Sequence, residues 1–180
     1  MPGALTAAQF DEDPYQAQPA AVTGNYQYNV ETWRVANKTV WDIDPDSSLP
    51  IGFSYEDQTL YHPIVSSPFF SLLINTEQKN TGTSLRYNLR VDEHDLLVGL
   101  NYGETAVEGG NFSHEAGHRK NITTLVDNGA ESLELFLVDR WQIAPRWKLI
   151  YGVQAVAADR EVRNTNVQNG NFYNPHADYD

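Results

Sequence analysis

The chain has 180 residues, 41% of them hydrophobic and 12% aromatic, so it is not a disordered chain and is long enough for a folded core. Its net charge of −12 argues against a nucleic-acid partner, and the absence of cysteine excludes a disulfide framework or a thiolate metal site. No run of eighteen apolar residues exists to form a membrane-spanning helix, and Met1-Pro2-Gly3-Ala4-Leu5 lacks the basic-then-apolar order of a secretory signal, which points to a soluble protein or a piece of a longer one.

Residues 1–29 hold Pro2, Gly3, Pro14, Pro19 and Gly24 with acids at Asp11, Glu12 and Asp13, and read as a loop segment with a short helix near residues 6–10. Six segments with period-two alternation follow, each with one apolar and one polar side. The first sets Trp33, Val35, Thr39, Trp41 and Ile43 against Arg34, Lys38 and Asp42. The second sets Ile51, Phe53, Tyr55 and Tyr61 against Gly52, Ser54, Glu56 and Gln58. In the third, Thr83, Leu85, Tyr87 and Leu89 oppose Ser84, Arg86, Asn88 and Arg90. In the fourth, Leu96, Val98, Leu100 and Tyr102 oppose Gly99, Asn101 and Gly103. The fifth opposes Leu133, Leu135, Leu137 and Trp141 to Ser132, Glu134 and Arg140, with Phe136 and Val138 interrupting the polar side. The sixth opposes Leu149, Tyr151, Val153 and Ala155 to Lys148, Gly152 and Gln154.

The connections are expected to alternate in length. Asp44-Pro45-Asp46-Ser47, Val91-Asp92-Glu93-His94 and Ala144-Pro145-Arg146 are short, whereas 62–77, 106–130 and 163–180 are rich in Gly, Asn and Ser and read as long loops. Compact soluble sheets prefer connections of about two to six residues. Transmembrane β-barrels carry short turns on the periplasmic side and long loops outside. Trp41, Trp141 and Trp147 flank the short turns, where an inner aromatic girdle belongs, and Tyr61 and Tyr102 lie toward the long connections.

Two motifs suggest metal chemistry and fail on inspection. His114-Glu115-Ala116-Gly117-His118 matches the H-E-x-x-H zinc pattern, which needs a helix to place both histidines on one face. Gly109, Gly110 and Gly117 oppose that helix. Asp42-Ile43-Asp44-Pro45-Asp46 lacks the glycine and closing glutamate of a calcium loop and reads as a hairpin turn. No catalytic residues, metal ligands or cofactor are assigned.

Several stretches resemble the barrel region of TonB-dependent outer-membrane receptors of Gram-negative bacteria. They are Pro2-Gly3-Ala4-Leu5-Thr6-Ala7-Ala8-Gln9-Phe10, Gly52-Phe53-Ser54-Tyr55-Glu56, His94-Asp95-Leu96-Leu97-Val98-Gly99-Leu100-Asn101-Tyr102, and Asp139-Arg140-Trp141 with Leu149-Ile150-Tyr151-Gly152. Ala177-Asp178-Tyr179-Asp180 resembles the lead-in to a further strand. The resemblance implies an all-β fold: an antiparallel meander of about six strands, part of the wall of a large transmembrane β-barrel in the outer membrane. Residues 1–29 and 164–180 would be extracellular loop segments and 30–163 the barrel strands and loops. It further implies a parent protein that takes up ferric siderophores or a similar large nutrient, working with TonB through a plug domain that this stretch lacks, and in contact with outer-membrane lipid. Glu56, Gln58, Arg86, Asn88, Arg90, Asn101, Glu134 and Gln154 would line the lumen. Tyr61, His62, Phe69 and Phe70 would lie at the barrel mouth as candidate ligand contacts. The alternative is a soluble β-sandwich or lipocalin-like module that binds a small ligand, with its apolar faces packed inside.

Overall fold

The computed structural model describes residues 4–168 and 171–173. Two short helices, α1 (Ala7–Glu12) and α2 (Pro19–Thr23), precede seven strands. The strands are β1 (Asn29–Asp44), β2 (Ser47–Ser66), β3 (Ser71–Val91), β4 (His94–Glu115), β5 (His118–Ala144), β6 (Trp147–Gln168) and β7 (Asn171–Tyr173). They form one sheet in chain order, every neighbour antiparallel. The expected all-β meander is therefore present, with β7 a three-residue addition to the six strands.

Local chemistry accounts for the ends of the elements. Thr6 caps α1 in a capping box, accepting from the Gln9 amide while the Gln9 side chain returns to the Thr6 backbone. At the β1–β2 turn the Asp44 carboxylate accepts from the Asp46 amide at 2.9 Å and the Ser47 hydroxyl at 2.7 Å, the local bonding expected of an Asp in a turn. The three turns at this end sit side by side: Arg90 donates to the Asp46 carbonyl and Gln142 to the Glu93 carbonyl, each at 2.8 Å.

Two of the expected long loops, 62–77 and 106–130, are strand and short turn instead. β2 runs to Ser66 and β3 starts at Ser71, so the connection is residues 67–70 rather than 62–77. β4 runs to Glu115 and β5 starts at His118, so only Ala116 and Gly117 remain of 106–130. Residues 163–168 continue β6, and the lead-in at 177–180 lies outside the described residues. Polar residues stand on both faces through 106–130, which hides period two there, yet the backbone groups still pair across the ladder, as in Ala106 with Gly129 and Glu108 with Asp127. The H-E-x-x-H segment is a hairpin turn: His114 belongs to β4, His118 opens β5, and Ala116 and Gly117 between them have φ of +47° and +82°. Two residues with positive φ suit the twist of a two-residue hairpin.

Among the described residues no second sheet covers the first. Among the described residues the buried hydrophobic side chains are Ala21 and Leu73, at the end of the sheet where the N-terminal segment packs. The apolar faces of the six strands are not packed against one another, which sets aside the soluble sandwich or lipocalin-like alternative. Among the described residues β1 has no partner along one edge, and β6 has none along the other except where β7 pairs with residues 166–168.

Candidate functional site

The register sorts side chains into two faces. One line across the six strands reads Thr39, Ile51, Leu85, Leu100, Leu135, Ala155. The adjacent line on the opposite face reads Lys38, Gly52, Ser84, Asn101, Glu134, Val156. All eight residues expected on the polar side share that face, and Phe136 and Val138 interrupt it as expected.

The apolar face forms a band of constant height beside the short turns. On β5 it spans residues 133–143, about 33 Å along a strand rising roughly 3.3 Å per residue. Tilted by about 45°, that run covers about 23 Å of height, close to the roughly 25 Å apolar band of outer-membrane barrels. The band is uncovered: Val153 is 69% exposed, Trp147 73% and Leu135 50%. Each such side chain would gain about 1.5–3 kcal/mol on leaving water, so the face calls for an apolar medium. Trp41, Trp141 and Trp147 lie at the turn end of the band, opposite Leu49, Leu149 and Ala144 respectively.

One acid interrupts the band. Asp139 falls in the apolar alternation after Leu137 and before Trp141, and is 3% exposed. Its Oδ2 accepts from His94 Nδ1 at 2.7 Å and from the Tyr151 hydroxyl at 2.6 Å, and the His94 ring stacks on Trp141 at 5.3 Å. A carboxylate on an apolar face needs such partners. The sequence reading did not single out this cluster; the break in alternation at Asp139 is the signal that could have found it.

On the polar face a chain of bonds crosses the sheet. Arg86 donates to Asn101 at 3.4 Å, Asn101 donates to Glu134 at 2.9 Å, and Gln154 donates to the other Glu134 oxygen at 2.7 Å. Farther from the turns, Glu56 meets Arg34 at 3.8 Å and accepts from Asn80 at 3.1 Å, while Thr105 donates to Asn80 at 2.8 Å. Gly99 is covered by the Phe136 ring; a Cβ there would lie 2.1 Å from its Cζ.

The four residues expected at a mouth divide into two pairs. Tyr61 and His62 belong to a packed cluster at the sheet's far end. The Tyr61 hydroxyl donates to the Gly117 carbonyl at 2.8 Å, and His62 Nδ1 donates to the Gln27 carbonyl. Tyr28 sets its ring edge-on to His62 at 4.9 Å. His114 completes the cluster, Nε2 donating to the Val65 carbonyl at 2.8 Å and Nδ1 accepting from the Gly117 amide at 3.2 Å. Asn25 reaches the Ala116 carbonyl at 3.4 Å, and the Tyr26 hydroxyl accepts from the Ser66 amide at 2.7 Å. The N-terminal segment thus straps the β2–β3 hairpin to the β4–β5 turn. Phe69 and Phe70 stand apart at the tip of the β2–β3 hairpin, 97% and 59% exposed.

Among the described residues no group of three His, Asp or Glu side chains is placed to hold a metal ion. No family model matches the chain, and no curated protein matches it in sequence. Among solved structures it is similar to the ferric citrate transporter FecA in its unliganded form, with a TM-score of 0.74 and 16% identity over 97% of this chain. The chain spans 27% of that protein's length. The fold is that of a stretch of β-barrel wall.

Proposed function

We propose that the chain is a length of the wall of a TonB-dependent outer-membrane transporter, whose parent protein takes up a ferric siderophore or a similar large nutrient. The observation that carries this reading is the uncovered apolar band, held at one height across six antiparallel strands with both sheet edges open. In this account the band meets lipid, and further strands of the parent barrel pair with β1 and β6. The polar face looks into the lumen, toward a plug through which TonB acts. The hairpin tips at the far end face the outside, where Phe69 and Phe70 are free to touch a ligand and Tyr61 and His62 hold the mouth in shape. The likeness to FecA in fold supports this placement.

Growth of an uptake-deficient Gram-negative strain on a ferric chelate tests it. The full gene containing this segment should restore growth and its product should fractionate with the outer membrane, whereas the 180-residue segment alone should not restore uptake. A segment that is monodisperse in water without detergent would overturn the reading.

A further inference from the structure

We infer that His114 is a proton-sensitive latch: neutral, it holds the N-terminal segment against the far end of the sheet, and protonated, it lets that segment go. The contacts involved stand whether or not the sheet belongs to a barrel; that the segment borders a mouth rests on the reading above.

The partners of His114 leave it one protonation state. The residue is buried, only 5% exposed. The Val65 carbonyl can only accept, so Nε2, 2.8 Å away, carries a hydrogen. The Gly117 amide can only donate, so Nδ1, 3.2 Å away, is a bare acceptor. A second proton would have to go on Nδ1, where it would set two donors against each other. It would also put a charge in a buried site. The ionisable groups on the surrounding elements give no relief. Tyr26 of the N-terminal segment meets the ring edge-on at 6.3 Å. On β2, Tyr61 and His62 donate to the Gly117 and Gln27 carbonyls. On β3 the partner is the neutral Ser71 hydroxyl, which accepts from the His114 amide at 3.0 Å. Glu115 on β4 already pairs with Lys120 of β5 at 3.2 Å. His118 and Arg119 on β5 can add only positive charge, with Arg119 opposite His114 in the register and its guanidinium over the Phe112 ring at 4.9 Å.

His114 holds the β4–β5 turn, and the turn holds the segment. Ala116 and Gly117 stand at φ +47° and +82°, and the Gly117–His114 bond closes that turn. Their carbonyls accept from Asn25 Nδ2 at 3.4 Å and from the Tyr61 hydroxyl at 2.8 Å. Gly117 lies so close to Asn25 that a Cβ would meet its Nδ2 at 2.8 Å and its carbonyl oxygen at 3.1 Å. Losing the Gly117–His114 bond frees the turn, and with it the seat of Asn25. Past Asn25 the segment is held independently. Gln27 donates to the Pro63 carbonyl at 3.2 Å, and its own carbonyl accepts from His62 Nδ1. His62 can take a second proton on Nε2 and keep that bond. Residues 4–25 therefore hinge about residues 26–28. Histidine is the side chain that changes charge between about pH 5 and 8. Only the neutral ring fits, so the segment is docked above that range and released as pH falls through it.

The test uses the full-length protein containing this chain, with any other cysteines replaced by serine and spin labels on cysteines at positions 22 and 69, where Val22 and Phe69 are exposed. Pulsed electron paramagnetic resonance reads the distance between the labels at about pH 8 and about pH 5. The expected result is a single short distance at the higher pH and a second, longer one in acid. The ratio of released to docked protein should rise by up to about tenfold per pH unit, the slope of one proton. His114→Asn keeps an acceptor beside the Gly117 amide and does not titrate, so it should hold the short distance at both pH values. His114→Gln serves the same purpose if the first variant does not fold. His118→Gln should respond as the labelled native protein does. A native distance that ignores pH, an acid response retained by the His114 variants, or one lost in His118→Gln would each overturn the inference. Heat-modifiable migration in gels follows the barrel at both pH values; its absence would contradict the barrel reading, while the distances judge the latch by themselves.

Discussion

The turn-proximal and far halves of the same strands share one backbone ladder and differ in everything their side chains do. Near the turns, Leu135 on one face and Glu134 on the other are adjacent in sequence yet suit different solvents. In the far half, Glu131 and Ala130 face opposite ways with no apolar medium implied on either side. Backbone pairing is indifferent to this change, because each N–H and C=O finds its partner in the next strand wherever the strand lies. The comparison teaches that the ladder sets the shape of this wall and the side chains of one half assign its surroundings.

The sharpest way to break the comparison is to put a charge in the band. Leu135→Arg should cost about 2–4 kcal/mol of folding stability in a bilayer, measured by urea titration of the full-length protein in lipid vesicles. Thr59→Arg, on the same face beyond the band, should stay within about 0.5 kcal/mol. Equal costs at the two positions would erase the distinction. Next in size is the buried acid. Asp139→Ala leaves His94 and Tyr151 without their shared acceptor and should cost about 1–3 kcal/mol. A double-mutant cycle with Tyr151→Phe should show that the two losses are not additive.

A smaller effect belongs to the far half. Gly117 has φ +82° and its Cβ position lies 2.8 Å from Asn25 Nδ2. Gly117→Val should cost about 1–2 kcal/mol through the left-handed backbone alone and loosen the N-terminal strap, read as faster proteolysis near Asn25. The smallest effect is at the β1–β2 turn. The Ser47 hydroxyl, and after it the Asp46 amide, hold the Asp44 carboxyl below its ordinary value. Its contribution to stability is therefore complete above the ordinary carboxylate pKa and disappears as pH falls through the lowered value of the folded state. An NMR titration should show Asp44 moving back toward the ordinary value in Ser47→Ala.

The legible part of the fold was the half in which the two faces differ. Alternation from Trp33 to Ile43 and from Leu133 to Leu137 marks strands because lipid-like and water-like sides are both needed there. The stretches 106–115 and 118–130 were illegible as strands because residues such as Glu108, Asn111, Asp127 and Asn128 put polar groups on both sides, and Gly109-Gly110 mimics a loop. Gly109 in fact lies in β4 at φ +138°, where a Cβ would come within 2.3 Å of the Asn75 carbonyl. Of the mouth residues, Phe69 and Phe70 are exposed on a hairpin tip, a place the Ser-Pro-Phe-Phe segment itself suggests. The partners of Tyr61 and His62 were hidden, since Gly117 and Gln27 lie 56 and 35 residues away. Contacts across such spans depend on register, which period-two patterning does not supply outside the band.

These 180 residues contain no cysteine, so a full-length protein whose other cysteines, where present, are replaced by serine allows a direct test of the central claim. Single cysteines placed in turn at residues 132–138 of the full-length protein, labelled with a fluorophore and reconstituted with brominated lipid, report which side chains touch acyl chains. Strong quenching at 133, 135 and 137 with little at 132, 134, 136 and 138 is the result this account requires. Uniform weak quenching at all seven positions would contradict it.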